Sequence, residues 1–465
     1  MHNKSFNLIA TFVCMTIFII MAYFLLNPTV SNSILSKPLY VYSIMLFFVS
    51  FIIVFVIVYK STFYSPSLFL MIFFLAVPLL GSMKARQYFG EVGPYFGRQV
   101  LSFDFPTFLW SVGVVSFFGG VLLGWLLLSK SKHNALFLWD RRRIVLFLNL
   151  SLVLATLGTM LALFRIGYVP LLRSDIMDVR WDYPKIIGPF ALRFSHHWLV
   201  PAILSSMLFF IEKGKKKYLY LCITIICAIG TLFYAQRTSL VWIISAFGLM
   251  YFKFSRPRLL RLLAVAGIAV LLVYGMMIMA EQRSGVHVDD SASRIKYHSF
   301  AEWFQYSIVV NEARSASEYL GWKIFIGPFL TLVPRQIYTL LGYDKKALIL
   351  EYSAVFHYGR EFELLYGIRV TPIGEAFAAY GFSGVILQML VLGLAFGALE
   401  RNYFGLDKCD ARLCLVCYGL SLMLHLPITT MFMLVGPLMG TGVFVVAYYL
   451  FGTKKYMVEG SRGRA

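Results

Sequence analysis

Acidic residues are scarce in this chain: 22 Asp and Glu stand against 42 Lys and Arg over 465 residues, a formal net charge of +20. Charge of either sign makes up only 14% of the sequence and 59% is hydrophobic, which excludes a soluble domain of ordinary composition and points to a polytopic membrane protein. Cysteine is equally sparse. Cys14, Cys222, Cys227, Cys409, Cys414 and Cys417 all fall in apolar runs or on the expected cytoplasmic side, so no exported disulfide is expected. Cys414 and Cys417 share a helix face, yet a lone pair lacks the other ligands that zinc needs, and they read as packing. Asp289 and Asp290 are neighbouring acids beside Arg283 and read as solvent-facing, so neither a metal nor another cofactor is expected. There is no internal repeat, no low-complexity stretch, no Gly-rich phosphate loop and no cytoplasmic domain able to hold a nucleotide sugar.

What the chain does have is uncharged apolar runs near the length of a bilayer core. They recur at Leu8 to Leu26, Leu39 to Tyr59, Pro66 to Met83, Phe105 to Ser129, Ile144 to Phe164, Phe194 to Ile211, Tyr218 to Gln236, Thr238 to Phe252, Leu262 to Ala280 and Ala376 to Leu399. Leu413 to Thr453 would make one helix of roughly 60 Å, so it is read as two spans turning near Pro427. The expectation is an all-α polytopic membrane protein, one transmembrane domain over residues 1–465 with about 12 transmembrane helices. The first run lacks a small-residue cleavage site and is read as a retained helix.

Counting basic residues sets the orientation. With the N-terminus inside, the short inner segments carry 22 of the 42, among them Lys60, Arg141 to Arg143, Lys215 to Lys217 and Arg401. The rest gather mostly in two long outer loops, 165–193 and 281–371, and both termini are expected in the cytoplasm. Anionic lipid accounts for the inner cations, and nucleic acid is not required. Cations on the exported side have no orientation value and need another partner; the planar guanidinium fork suits phosphate or diphosphate.

The first outer loop, RIGYVPLLRSDIMDVRWDYPKIIGPFALRFSHH, is too rich in Pro and Gly for a long helix and holds Arg173 and Arg180 at the membrane surface, Arg180 beside Trp181 and Tyr183. In the second, Phe300, Trp303, Phe304 and Ile308 fall at helical spacing, and Glu312, Arg314 and Glu318 continue it with polar residues. That pattern makes an amphipathic helix, expected to lie on the membrane. GWKIFIGPFLTLVPR follows, apolar but interrupted by Gly327, Pro328 and Pro334, and is read as a re-entrant segment ending at Arg335. Beyond it Lys345, Arg360 and Arg369 offer cations, and Glu351, Glu361, Glu363 and His357 offer acid or base groups. Glu375 is the most informative residue. It stands at the mouth of an otherwise uncharged helix, where an ionisable group costs at least a few kcal/mol unless paired or hydrated; a carboxylate favoured at a helix N-terminus is the plainer reading. Gly374, Gly381 and Gly384 allow close helix approach.

The order of GYVPLL with a following Arg, QRTSL, VPRQIY, a Lys, and TPIGEAFAAYGFSGV resembles the Wzy-type polymerases of O-antigen and related polysaccharides. The resemblance implies a multispan, metal-independent glycosyltransferase of the inner membrane. It would join oligosaccharide repeat units carried on undecaprenyl diphosphate, donor and acceptor alike, at the periplasmic face, working beside a chain-length-regulating membrane protein. It also implies that Arg180, Arg237 and Arg335 are among the cations that handle diphosphate and that Glu375 is the family's Glu before the aromatic-Gly segment. Glycosyl transfer needs a base for the acceptor hydroxyl, for which Glu375 is the candidate with His357 and Glu363 behind it, and Arg173, Lys345, Arg360, Arg369 and His357 are the further candidate substrate contacts. An O-antigen ligase and a lipid-linked oligosaccharide flippase are the competing readings.

Overall fold

In lipid an apolar stretch satisfies its backbone only as a helix, and each expected span that the computed structural model describes is helical. The structure describes residues 37–60, 65–78, 104–127, 135–169, 197–232, 237–255, 301–316, 319–330, 333, 335–343, 371–408, 410–428, 446 and 453–457. The expected spans at 8–26 and 262–280 lie outside these residues, as does the last span of all except residue 446. The helices are α1 (Lys37–Lys60), α2 (Pro66–Pro78), α3 (Asp104–Leu127), α4 (Arg141–Ile166), α5 (Leu199–Ile211), α6 (Lys216–Leu232), α7 (Arg237–Phe254), α8 (Ala301–Ser315), α9 (Lys323–Leu330), α10 (Arg335–Leu340), α11 (Pro372–Gly405) and α12 (Arg412–Met423). Among them α3, α4 and α11 are long and apolar enough to cross a membrane, and α2, α5 and α12 are shorter apolar helices. A turn after α12 leads into a 3-10 helix at Leu426–Ile428, in keeping with the turn expected near Pro427.

The all-α expectation needs one addition. Ala135–Trp139 (β1) pairs antiparallel with Thr453–Met457 (β2), Ala135 opposite Met457 and Trp139 opposite Thr453. Neither segment alternates strongly enough to signal a strand alone, and the partners are far apart in the chain.

Two compact units are present. The first holds α1 to α3, α8 to α10 and nearly all of α11; the second holds α4 to α7, the ribbon and most of α12. In the second unit α5 packs on α4, α6 and α7. Trp198 donates its indole N–H to Thr159 Oγ1 (2.9 Å), and Gly230 makes room for that indole. Burial along α4 follows the membrane pattern rather than the soluble one. Ser151, Ala155, Gly158, Thr159 and Ala162 turn inward, while Leu146, Leu150, Val153, Leu157, Met160 and Phe164 are exposed. From Ser151 onward small residues thus face protein and large apolar ones face the surroundings, as in helices packed in lipid, while Ile144 and Leu148 are buried in the first two turns.

In the first unit α3 is the central post. α1 packs along it, and Trp110 joins α2 by donating to the Phe74 carbonyl (2.9 Å). The amphipathic helix expected on the membrane surface, α8, is instead docked on α3. Trp303, Tyr306, Val310 and Ala313 are buried, Trp303 and Tyr306 pack on the Trp110 ring, and Tyr306 donates to the Pro106 carbonyl (2.9 Å). An aromatic face that finds protein aromatics has no need of lipid. α8 ends at Ser315, and Glu318 lies outside the described residues. α9 runs through Gly327 and Pro328 without the expected interruption; in so short a helix Pro328 removes a single backbone bond.

α3 and α11 touch backbone to backbone. A Cβ on Gly393 would meet the Phe117 carbonyl, one on Gly397 the Val121 carbonyl, and one on Gly120 the Leu390 carbonyl; one on Gly124 would come within 2.6 Å of the Leu394 carbonyl. Two G-x-x-x-G pairs therefore interlock, with no side chain between the backbones at these four positions.

At the end of that seam sits a second buried carboxylate, Glu400. It accepts from Ser65 Oγ (2.6 Å), Ser67 N (2.8 Å), Ser67 Oγ (2.5 Å) and Trp125 Nε1 (3.0 Å). Pro66 opens α2, so Glu400 caps that helix from across the unit and joins α2, α3 and α11 at one point. Arg401 lies over the Trp125 ring at 6.0 Å. Replacing Glu400 by Gln should lower stability by about 2–4 kcal/mol, because an amide nitrogen would face donors that now have acceptors. The fall should appear in the thermal midpoint of the purified protein, and an unchanged midpoint would deny the cap.

Candidate functional site

Glu375 does not stand at the mouth of a straight helix. Tyr380 (φ −144°, ψ 23°) and Gly381 (φ 62°, ψ −144°) break α11, and only glycine adopts the latter without strain. Neighbours on α3 give the direction on either side of the break. Before it, Ile373 lies against Gly113 and Phe377 against Phe105; after it, Phe382 lies against Phe105 and Phe108, Gly393 against Phe117 and Gly397 against Val121. Along α3 the contacts first climb from residue 113 to 105 and then descend from 105 to 121. The chain folds back, and a Cβ on Gly384 would strike the carbonyl of Ala376, eight residues earlier.

Residues 372–379 thus form a half-helix that starts beside Gly113, about 13 Å along α3 from Asp104, and rises to the tip at Tyr380. Every residue from Thr371 to Ala379 is buried, and Glu375 is only 3% exposed. The expected span over Ala376 to Leu399 is accordingly corrected: the continuous helix is 382–405, and Glu375 belongs to the shorter arm of a hairpin.

The break frees backbone carbonyls, and a neighbouring segment takes them. Leu320 N donates to Ala378 O (3.0 Å) and Gly321 N to Ala379 O (2.9 Å), so the stretch between α8 and α9 straps the tip. Tyr319 packs edge-on to Phe377, and its hydroxyl would lie 2.8 Å from a Cβ at Gly381. Arg314, at the end of α8, sits 4.3 Å above the Phe105 ring. At the other end of the half-helix Thr371 is fully buried, its hydroxyl has no hydrogen-bond partner, and its carbonyl receives the Glu375 N–H (3.0 Å).

Arg335 is the first residue of α10 and shares the first unit with Glu375. Arg237 is the first residue of α7, in the second unit. Arg180, Arg173, Lys345, Arg360, Arg369 and His357 lie outside the described residues. The residues that sequence reasoning missed are Thr371, Tyr319 and Glu400. The first two carry no charge to draw notice. Glu400 reads as loop because it precedes Arg401, and its partners are distant in the chain. Compared with protein-family models, with curated proteins and with solved structures, the chain matches none.

Proposed function

We propose that this protein is a glycosyltransferase of the bacterial inner membrane that joins oligosaccharide repeat units carried on undecaprenyl diphosphate at the periplasmic face. The observation that carries the reading is the burial of Glu375 on a half-helix folded back into an apolar interior. A carboxylate is expensive there, and irregular backbone at that depth is tolerated only where protein or a polar cavity satisfies it. Glycosyl transfer needs such a group to take the proton from the acceptor hydroxyl as the anomeric carbon–oxygen bond to diphosphate breaks. It also needs cations for the departing diphosphate. Arg335 and Arg180, with Arg237, Arg173, Lys345, Arg360 and Arg369, are our candidates for the latter, and His357 for a further substrate contact.

Sidedness supports the reading. Among the described residues, the contacts between helix ends join ends that the count of basic residues puts on one side. Tyr306 with Pro106, and Leu320 and Gly321 with Ala378 and Ala379, belong to ends expected outside. Ser65, Ser67 and Trp125 with Glu400, Arg141 with Glu212, Lys408 with Phe254, and β1 with β2 belong to segments expected inside.

A broken helix with a buried acid also suits a transporter of lipid-linked oligosaccharide, the second reading. Deleting the gene separates them. Under the polymerase reading the surface glycan is left capped with a single repeat unit. Loss of every repeat, detected on a gel of the extracted glycan, would reject polymerisation in favour of export or ligation.

A further inference from the structure

The register of the α11 hairpin sets two unpaired polar residues at one depth. Gly384 faces Ala376 across the hairpin. Gln388 lies four residues beyond Gly384 and Pro372 four before Ala376, so Gln388 stands one turn deeper, opposite the start of the half-helix. Both amide atoms of Gln388 are buried without a hydrogen-bond partner, and so is the hydroxyl of Thr371, the residue that precedes Pro372. The N–H groups of Ile373 and Gly374 belong to the opening turn of the half-helix, which has no intrahelical acceptor for them. Glu375 follows Thr371 by four residues and shares its face.

Buried polar groups without partners are rare, and each weakens the fold unless something occupies the space. The chemistry of the occupant follows from the groups. Gln and Thr each donate and accept, and neither carries charge, which matches a hydroxyl. An anion would lie one turn from the Glu375 carboxylate in surroundings of low dielectric and would be repelled, whereas a neutral hydroxyl would not. We propose that Thr371, Gln388 and the first turn of the half-helix form a subsite for the acceptor sugar. It would bind the hydroxyls beside the one that attacks and so determine which sugar is extended. This rests on the polymerase reading above.

The test exploits a conflict between stability and binding. Thr371→Val and Gln388→Leu each remove an unpaired polar group at nearly constant volume. In the absence of sugar both should leave the purified protein as stable as the wild type or more so. The probe is the free oligosaccharide repeat, released by mild acid from the producing strain's lipid-linked intermediate and titrated against full-length protein in lipid nanodiscs. We expect each variant to bind it about fivefold to tenfold more weakly, the worth of a lost neutral hydrogen bond, while Thr371→Ser binds normally. Polymer formation in the variants should recover at high acceptor concentration.

Unchanged oligosaccharide binding in both Val and Leu variants would overturn the subsite and leave polymerase function standing. Structural water would then be the partner of Thr371 and Gln388. Weaker binding confined to a Gln388→Leu protein of lowered thermal midpoint would equally overturn it. Absence of oligosaccharide binding by a wild type that makes polymer would reject the subsite alone; absence of both would reject the polymerase reading with it.

Discussion

Glu375→Gln should stop chain extension while the protein still accumulates in the membrane. The substitution keeps the side chain's length and its capacity to hydrogen-bond, but an amide cannot take a proton from an attacking hydroxyl. General-base catalysis contributes about 100-fold to 10,000-fold, so product from purified lipid-linked repeat units should fall by at least the lower figure. Burial sharpens the contrast with a helix-capping role. At 3% exposure the side chain is enclosed by protein, and Gln fills the same space, so the amide variant should still fold and accumulate. Glu375→Asp should also lose activity heavily, because withdrawing the base by about 1 Å on a rigid half-helix can cost roughly 100-fold. The decisive measurement is dimer formation in vitro by a Gln variant that still binds lipid-linked repeat unit. Product at near the wild-type rate would remove Glu375 from the chemistry.

Much of this is legible one residue at a time. Apolar length alone places α3, α4 and α11, because a chain in lipid has little choice but helix. Glu375 stands out because a single charge in a long uncharged run is expensive wherever that run is buried, and no tertiary knowledge is needed to see it. The reversal at Tyr380 and Gly381 is not legible. A Tyr-Gly pair in an apolar stretch fits a gentle kink, a close helix contact or a hairpin equally well, and the choice depends on the strap from Leu320 and Gly321. For the same reason spacing finds the helix α8 and its anchor Trp303 but not the partner: it shows that Trp303 needs an apolar surface but not whether α3 or lipid supplies it. Glu400 is the extreme case, since all its donors lie on α2, just before it, or on α3. With the arginines residue type is informative and position is not, so fork chemistry names phosphate without telling which guanidiniums meet it.

The largest loss of stability should come from a methyl group. Gly393→Ala would drive its Cβ into the Phe117 carbonyl, and Gly120→Ala into the Leu390 carbonyl. In both cases the obstacle is the backbone of a facing helix rather than a side chain that could rotate away. The helices must therefore part, and parting them also pulls Trp125 of α3 from Glu400 of α11, adding the loss of one of the buried carboxylate's four hydrogen bonds to the lost packing. Each substitution should cost about 3 kcal/mol or more, the upper end for overpacked cores, and lower the folded yield after detergent extraction. The double variant should lose less than the sum, since helices already separated by one methyl have room for the next. Gly119 supplies the control. It adjoins Gly120 on the same helix, yet a Cβ there meets nothing within 4 Å, so Gly119→Ala should be neutral or stabilising by up to about 1 kcal/mol through helix propensity alone. Equal thermal midpoints for Gly119→Ala and Gly120→Ala would show that the two G-x-x-x-G pairs do not interlock.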